Sequence, residues 1–318
     1  MRRSTTALSA ALSACALLLF AAGCGEDTGG ANGDALSVVA SFYPLQFVAE
    51  RVGGDLVDVA NLTPAGTEPH DLELTPKDTA SLQDAALVVY LDGFAPAVDE
   101  AIESVAGGQA FDVGESARLD LDATEEEHEG EEEGDHEEGD EHDHGGADPH
   151  FWLDPTRLAD VADAVAERLA ELDPEHADEF AANAVELRVE LEALDAEFIA
   201  ALESCDDRHL VTSHTAFGYL ADRYGFEQLG ISGLTPEEEP SPAELAEVAD
   251  FVKANDVTTI YYETLVDPAI AETVAAETGA ATAVLDPIEG LSDSSAGSNY
   301  FEVMRSNLQS LRSGQRCA

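Results

Sequence analysis

The 318-residue chain carries 67 acidic side chains against 14 basic ones, which gives a formal net charge of −53 at pH 7. Proteins that bind nucleic acid neutralise its phosphates with clustered Lys and Arg, so this composition argues against a nucleic acid partner and favours a cation. The same acidity is typical of proteins adapted to high salt, where screening removes the repulsion between like charges. Charge alone does not separate these two interpretations.

The N-terminus has the features of an export signal. Arg2 and Arg3 form a short basic region, and the apolar run 7–22 is too short, with the wrong flanks, for a membrane span. We therefore predict a signal peptide over 1–23. Because the remaining chain has no second apolar run of spanning length, we expect an extracytoplasmic protein, at the outer face of the cell membrane or in the periplasm.

Cys24 is the candidate site of lipid modification. The four residues that end at Cys24 resemble a bacterial lipobox, with Ala21 where a leucine is usual. An ordinary cleaved signal is the alternative. The Gly- and Asp-containing stretch 24–35 is predicted to be a flexible tether, which places the mature protein at the membrane through its lipid.

Two cysteines, Cys205 and Cys317, remain once the signal peptide and the lipid-modified residue are set aside. An even pair in an exported protein predicts a disulfide. In the chain-entropy model such a bond stabilises the fold by up to about 4–5 kcal/mol. Two separate thiols are the alternative interpretation.

The first part of the folded chain alternates strands and helices. Short β-branched, apolar runs predict buried parallel strands at 36–42, 57–62 and 86–91, and a weaker run lies around 110–113. Apolar residues at helical spacing predict a helix over 156–172. We assign residues 36–172 to an N-terminal lobe.

A second, longer helix is predicted to begin at Pro174, a favourable residue for the first turn. Its apolar residues recur every three or four positions, and neither Gly nor Pro interrupts it before about Cys205. At 1.5 Å per residue, roughly 30 residues span about 45 Å. We therefore predict that 173–204 form a linking helix that crosses two lobes and fixes their separation.

The alternation resumes in a C-terminal lobe, which we place at 205–318. Strands are predicted at 209–213, 226–231, 258–263 and 281–286. Ser241, Pro242 and Glu244 form a capping-box pattern that predicts the start of a helix. The predicted fold class is therefore α/β, with two lobes that each have a mostly parallel sheet flanked by helices, joined by one long rigid helix.

Four side chains lie at positions where such folds bind ligands. His70 and His214 follow predicted strands, Asp286 ends one, and His150 lies in the loop before a predicted helix. Ligands of open α/β sheets bind beyond the carboxyl ends of strands, and three imidazoles with one carboxylate suit a tetrahedral Zn²⁺ site. The spacing shows where these four residues lie in the sequence, but it does not show that they come together in space. Each of them also fits an ordinary structural role, in a turn or beside an aromatic ring. Glu263 ends another strand, where we expect it to contact a ligand and not the metal.

Six segments resemble the metal-binding components of bacterial ABC-type zinc and manganese importers. They are TPAGTEPHDLELTP, DPHFWLDP, VTSHTAFGYLADRYGF, GLTPEEEPSPAELAEV, IYYETL and VLDPIEGL, and the resemblance extends from Leu36 to the C-terminus. It implies two lobes joined by a rigid helix, with one metal ion in the cleft between them. It also implies a monomeric protein without enzymatic activity that delivers the ion to a membrane permease and its ATPase.

The ligand positions of that family fall on His70, His150, His214 and Asp286. Manganese-selective members usually have a carboxylate where this chain has His214, so the resemblance favours Zn²⁺ over Mn²⁺, which prefers oxygen ligands. Some zinc members have a glutamate directly before the first ligand histidine, where this chain has Pro69. The fourth ligand is therefore either Asp286 or a water molecule.

The acidic run from Glu125 to Gly146 contains 13 acids, 4 histidines and 5 glycines. It resembles the charged, His-rich loop that many zinc members insert just ahead of the second ligand. We predict that 124–147 is disordered, because it has nothing to bury that offsets the entropy of ordering. Its candidate weak zinc ligands near the cleft are His128, His136, His142 and His144. A solvated linker without metal is the alternative.

The resemblance makes a high-affinity zinc-binding protein for uptake the first hypothesis, with Mn²⁺ or another divalent metal as the alternative cargo. A zinc metallohydrolase is a second hypothesis, in which water replaces Asp286 and Glu263 acts as the base. The lack of a HExxH motif in the sequence disfavours this activity, and the lack of a P-loop fits the first hypothesis, in which the chain does no chemistry itself. An adhesin-like surface lipoprotein with a structural metal is a third hypothesis.

Overall fold

The first four strands form a parallel sheet. The computed structural model describes residues 35–121, 146–236 and 240–318. The strands are β1 Leu36–Ala40, β2 Val57–Asn61, β3 Leu87–Tyr90 and β4 Ala110–Asp112. They lie in the order β2-β1-β3-β4, and Val38 pairs with both Val59 and Leu87. The weak run near residue 110 is therefore a strand at the edge of the sheet.

Helices alternate with these strands. They are α1 Tyr43–Gly53, α2 Pro76–Asp84, α3 Pro96–Val105, α4 Gly114–Ala117 and α5 Pro155–Leu172. A capping box between Thr75 and Asp78 begins α2, because each side chain accepts the backbone N–H of the other residue. Before α5, Asp154 accepts the backbone N–H of Thr156, so the chain leaves the short 3₁₀ turn Phe151–Leu153 at a defined angle.

The linking helix α6 extends over Ala177–Leu202. Its 26 residues span about 39 Å at 1.5 Å per residue. It begins later than the sequence predicts, because Pro174 lies in a turn and the cap of the helix is His176. The apolar positions at spacings of three and four are all buried: Phe180, Ala184, Leu187, Leu191, Leu194 and Phe198. The predicted helix and its buried face are confirmed.

The last four strands form a second parallel sheet. They are β5 His209–Thr212, β6 Glu227–Gly230, β7 Thr259–Tyr262 and β8 Ala281–Val284. Their order, β6-β5-β7-β8, repeats the order of the first sheet although the sequence shows no strong repeat. The helices here are α7 Gly218–Tyr224, α8 Pro242–Ala254, α9 Ala269–Thr278 and α10 Tyr300–Gly314. The predicted capping box of Ser241 and Glu244 begins α8, and the predicted α/β fold class is confirmed.

Buried contacts around Trp152 join the two halves of the chain. The fully buried indole of Trp152 donates its N–H to the carbonyl of Pro287 at 2.7 Å. The hydroxyl of Tyr300 donates to the carbonyl of Trp152 at 2.6 Å. Helix α6 adds charged contacts, since Arg51 of α1 lies 2.9 Å from Glu190. The segment that precedes α5 and the segment that follows β8 are thereby held together.

Cys205 and Cys317 form the predicted disulfide, which ties the C-terminus to the chain just beyond α6. Within the described ranges, no helix is long and apolar enough to cross a membrane. The signal peptide, the tether with Cys24 and the run that contains His128, His136, His142 and His144 lie outside the described residues. The lobe boundaries at 172 and 205 stay predictions.

Candidate metal centre

Three histidines and one glutamate converge at one buried point. His70 lies in the loop after β2, His150 in the turn before α5, His214 in the loop after β5, and Glu289 in the loop after β8. One ligand atom from each of them lies within 4.8 Å of the other three. The structure therefore brings together the three predicted histidines, which are far apart in sequence.

Glu289 is the common partner of the three imidazoles. Its Oε1 lies 3.0 Å from Nε2 of His150 and 3.4 Å from Nε2 of both His70 and His214. The side chains of Glu289, His150 and His214 are fully buried, and that of His70 is 8% exposed. Three nitrogen donors and one oxygen donor within this distance are typical of a Zn²⁺ site.

Two further carboxylates orient two of the rings. The Nδ1–H of His150 donates to Asp148 Oδ1 at 2.8 Å, and the same oxygen accepts the backbone N–H of His150 at 2.9 Å. The Nδ1–H of His214 donates to Glu263 Oε1 at 2.6 Å, and that oxygen also accepts the hydroxyl of Ser213. Because the Nδ1–H of each ring is held by its carboxylate, Nε2, which faces Glu289, is the ring atom available to coordinate a metal ion once it has lost its proton. Glu263 thus lies behind a histidine of the group.

Several buried atoms of the group have no hydrogen-bond partner among the described residues. They are Nε2 of His70, Nε2 of His214 and Oε2 of Glu289. A buried polar group without a partner costs about 1–3 kcal/mol. A divalent cation among these atoms would interact favourably with all three. The donor set therefore fits a metal ion by its chemistry as well as by its distances.

The neighbours of each group outweigh burial in setting its charge. Burial lowers the pKa of His214, but the charge and hydrogen bond of Glu263 raise it to about 10. Burial also acts to raise the pKa of Glu289, yet its hydrogen bond with His150 and the close imidazoles of His214 and His70 hold that pKa well below its usual range. Without metal, Glu289 is therefore ionised and His214 is protonated. A metal ion must displace that proton, because only the neutral imidazole binds metal.

The structure places Asp286 outside this group. Its carboxylate accepts the hydroxyl of Thr264 at 2.9 Å and the backbone N–H of Ile288 at 2.8 Å. Burial raises the pKa of Asp286 to about 6, although both hydrogen bonds act against that rise. Ile288 has a positive φ of 60°, so the chain turns sharply there and directs Glu289 towards the histidines. Asp286 therefore shapes the loop that carries Glu289.

Glu289 is not among the residues predicted from the sequence, because the prediction took Asp286, the last residue of a predicted strand, as the carboxylate of the site. That rule places a ligand at the sheet edge but does not include the turn that follows the strand. One signal was present in the segment VLDPIEGL, where Glu289 is a single acid between the apolar residues Ile288 and Leu291. A buried acid in an apolar loop needs a partner, and here its partners are the histidines.

Aromatic rings enclose the histidines. The ring of Phe94 lies 4.4 Å from that of His70, and the indole of Trp152 lies 5.3 Å from the ring of His150, measured between centroids. Apolar walls lower the local dielectric constant, which strengthens the interaction of a bound cation with Glu289. The same walls keep water from competing for the donor atoms.

The sequence is similar to those of known zinc-uptake proteins. The family model described as "Zinc-uptake complex component A periplasmic" matches residues 38–314. The chain is 38% identical to the high-affinity zinc uptake system protein ZnuA of Bacillus subtilis, over 95% of each chain. It is 37% identical to the zinc-binding lipoprotein AdcA of Streptococcus pneumoniae over 94% of its own length, and it spans 59% of that longer protein.

Solved structures share the architecture. The Zn(II)-bound ZnuA-like domain of S. pneumoniae AdcA has a TM-score of 0.70 and 32% identity, over 88% of this chain and 99% of that one. The laminin-binding protein Lmb of Streptococcus agalactiae, described as bifunctional with adhesin and metal transporting activity, has a TM-score of 0.73 and 34% identity, over 88% and 99%. Since the family model covers most of the chain and the fold agrees, this protein belongs to the zinc-uptake complex component A family.

Proposed function

We propose that this protein captures Zn²⁺ outside the cytoplasm with high affinity and delivers it to an ABC-type permease for uptake. The observation that carries the proposal is the buried convergence of three imidazole nitrogens and one carboxylate within 4.8 Å. The family and its zinc-binding relatives support the same role. We assign the metal ligands as His70, His150, His214 and Glu289.

The donor set favours zinc as the cargo. Manganese prefers oxygen ligands, whereas imidazole nitrogen suits Zn²⁺. With His214 in the group, only one of the four donors is an oxygen. Mn²⁺ is the alternative cargo, and a direct competition between the two ions separates the alternatives.

The geometry supports binding over catalysis. A catalytic zinc site keeps one coordination position for water and needs a base nearby. Here a fourth protein donor, Glu289, is available. Glu263, the candidate base, lies behind His214, where one of its oxygens accepts the ring N–H of His214 and the hydroxyl of Ser213. The proposed role is therefore that of a binding protein without enzymatic activity.

Delivery implies partners beyond this chain. We propose a permease with its ATPase as the partner, a lipid on Cys24 as the membrane anchor, and a monomeric binding protein. In this proposal the acidic run is an accessory, whose His128, His136, His142 and His144 hold zinc weakly. Release requires that docking on the permease disturbs the ligand set, since a buried four-ligand site would otherwise release its ion slowly.

Calorimetric titration of the metal-free protein with Zn²⁺ and Mn²⁺ in competition tests the proposal. We expect one tight zinc site, weakened by orders of magnitude in His214→Ala. His176→Ala is the matched control, because His176 is 42% exposed and lies at the start of α6, outside the group. Deletion of 125–146 should remove only weak sites. A tight site that disappears with this deletion, or that survives His214→Ala, would overturn the assignment.

Uptake in cells tests the delivery step. In a strain that lacks the gene, we expect the wild-type protein to restore zinc accumulation from zinc-limited medium. His214→Ala should fail to do so at an equal protein level, whereas His176→Ala should succeed. If both variants restored zinc accumulation equally, the proposed role of this metal site in zinc delivery would be refuted.

A further inference from the structure

A glycine on α7 lies against the carboxylate that orients His150. Asp148 is 3% exposed, and its Oδ1 accepts both the backbone N–H and the ring N–H of His150. Its other carboxylate oxygen, Oδ2, occupies the space that a Cβ on Gly218 would need. A Cβ at position 218 would lie well inside van der Waals contact of that oxygen, and 3.4 Å from Cγ of Asp148.

The glycine is not required by the backbone. Gly218 is absent from the residues with positive φ, so an L-residue can adopt its conformation. It is also the first residue of α7, where alanine has the higher helix propensity. The space that Asp148 occupies is therefore the remaining reason for the missing side chain.

Contacts at both ends of helix α7 oppose its displacement by an added methyl group. At its C-terminal end, Arg223 makes two hydrogen bonds to the buried carboxylate of Asp195 on α6, at 2.9 and 2.7 Å. At its N-terminal end, the guanidinium of Arg157 lies 4.4 Å from the ring centroid of Tyr219, and Tyr219 is fully buried. An added Cβ would therefore displace the carboxylate and not the helix.

The backbone of Asp148 has little freedom as well. Its N–H donates to the carbonyl of Leu121 at 2.9 Å, and the backbone N–H of Leu121 in turn donates to the hydroxyl of Tyr219 at 3.5 Å. The side chain can yield only by rotating away from His150. That rotation would leave the Nδ1–H of His150 without its acceptor and its Nε2 without a fixed direction.

We propose that Gly218 is a positioning residue of the metal site: its missing side chain admits the carboxylate of Asp148, which holds His150 towards the metal. The inference rests on the proposed function, because it assumes that His150 is a zinc ligand. A residue of the second half of the chain thereby controls the orientation of a ligand from the first half.

A double-mutant cycle with Zn²⁺ as the probe tests the proposal. Loss of a partner that orients a ligand typically weakens metal binding by about 10- to 100-fold. We expect that weakening in both Gly218→Ala and Asp148→Ala. The double variant should bind no more weakly than Asp148→Ala alone, because alanine at 148 lacks the atoms that the new Cβ would meet. Wild-type affinity in Gly218→Ala, or additive losses in the double variant, would overturn the proposal.

Two further measurements keep this test separate from the test of the proposed function. In the metal-free protein, the ring N–H proton of His150 should give a hydrogen-bonded NMR signal that is lost in Gly218→Ala; a retained signal contradicts the proposal whether or not zinc binds. Gly225→Ala is the control for stability, because Gly225 has a φ of +74° and a Cβ there would meet no atom within 4 Å. It should destabilise α7 and leave zinc affinity unchanged. A wild-type protein without tight zinc binding would refute the proposed function alone.

Discussion

Trp152→Phe should destabilise the protein and weaken its metal site together. The substitution keeps an aromatic ring but removes the N–H that donates to the carbonyl of Pro287 at 2.7 Å. A buried carbonyl left without a donor costs about 1–3 kcal/mol. The smaller ring leaves space in a fully buried position, which adds to the loss. We therefore expect the free energy of unfolding to fall by about 2–4 kcal/mol.

The expected weakening of zinc binding follows from the position of the Pro287 carbonyl. Pro287 begins the turn that carries Glu289, and Trp152 follows His150 by two residues. The hydrogen bond thus couples two of the proposed ligands. With the turn released, we expect zinc affinity to fall by about tenfold, mainly through faster dissociation.

Urea unfolding followed by circular dichroism measures the first effect, because Trp152 is the only tryptophan and its fluorescence is lost. Stopped-flow transfer of zinc to a chelator measures the second. Tyr300→Phe is the matched control. It removes the hydroxyl that donates to the carbonyl of Trp152 but keeps the hydrogen bond between Trp152 and the carbonyl of Pro287, at the start of the turn that carries Glu289. A stability loss below about 0.5 kcal/mol, or equal zinc dissociation rates in both variants, would refute the reasoning.

Three other predictions concern the ligand set, the protons and the disulfide. Glu289→Gln should weaken zinc binding far more than Asp286→Asn, as measured by calorimetry, because only Glu289 faces the histidines; the reverse order would restore Asp286 as the ligand. The pKa of His214 is raised to about 10 and that of His150 is raised as well, so zinc affinity should rise with pH across neutrality, by at least about tenfold per pH unit. Calorimetry in buffers of different ionisation enthalpy should show protons released when zinc binds, and no release would contradict the assignment. Replacing Cys205 and Cys317 with serine should lower the free energy of unfolding by about 2–5 kcal/mol, measured in urea, with zinc affinity retained.

The contacts of Glu289 bear on how the protein releases its ion. The backbone N–H of Tyr43 donates to the carbonyl of Glu289 at 3.4 Å, and the N–H of Gly66 donates to that of Leu291 at 2.9 Å. The loop after β8 therefore bonds to the first half of the chain. A relative movement of the halves would have to break these contacts as well as the bonds to the metal, which is a barrier that the permease must overcome.

Local patterns in the sequence determined most of the fold. Runs of Val and Leu predict the buried strands, and the apolar residues of α6 at spacings of three and four predict its buried face. Ser241 and Glu244 predict the start of α8, and an even pair of cysteines predicts the disulfide. These features depend on residues a few positions apart or on simple counting, so no tertiary information is needed.

The three histidines were also accessible from sequence, because each lies at the edge of a regular element in a segment that resembles a known family. Their convergence, and the position of Glu289 rather than Asp286 beside them, depend on the tertiary structure. The turn at Ile288 reverses the chain by an amount that strand patterns do not encode. The contact of Gly218 with Asp148 joins positions separated by about 70 residues through the packing of α7. The raised pKa of His214 arises from the charge and hydrogen bond of Glu263, which outweigh the lowering by burial. These properties depend on contacts between residues that are far apart in the sequence, so no local sequence pattern predicts them.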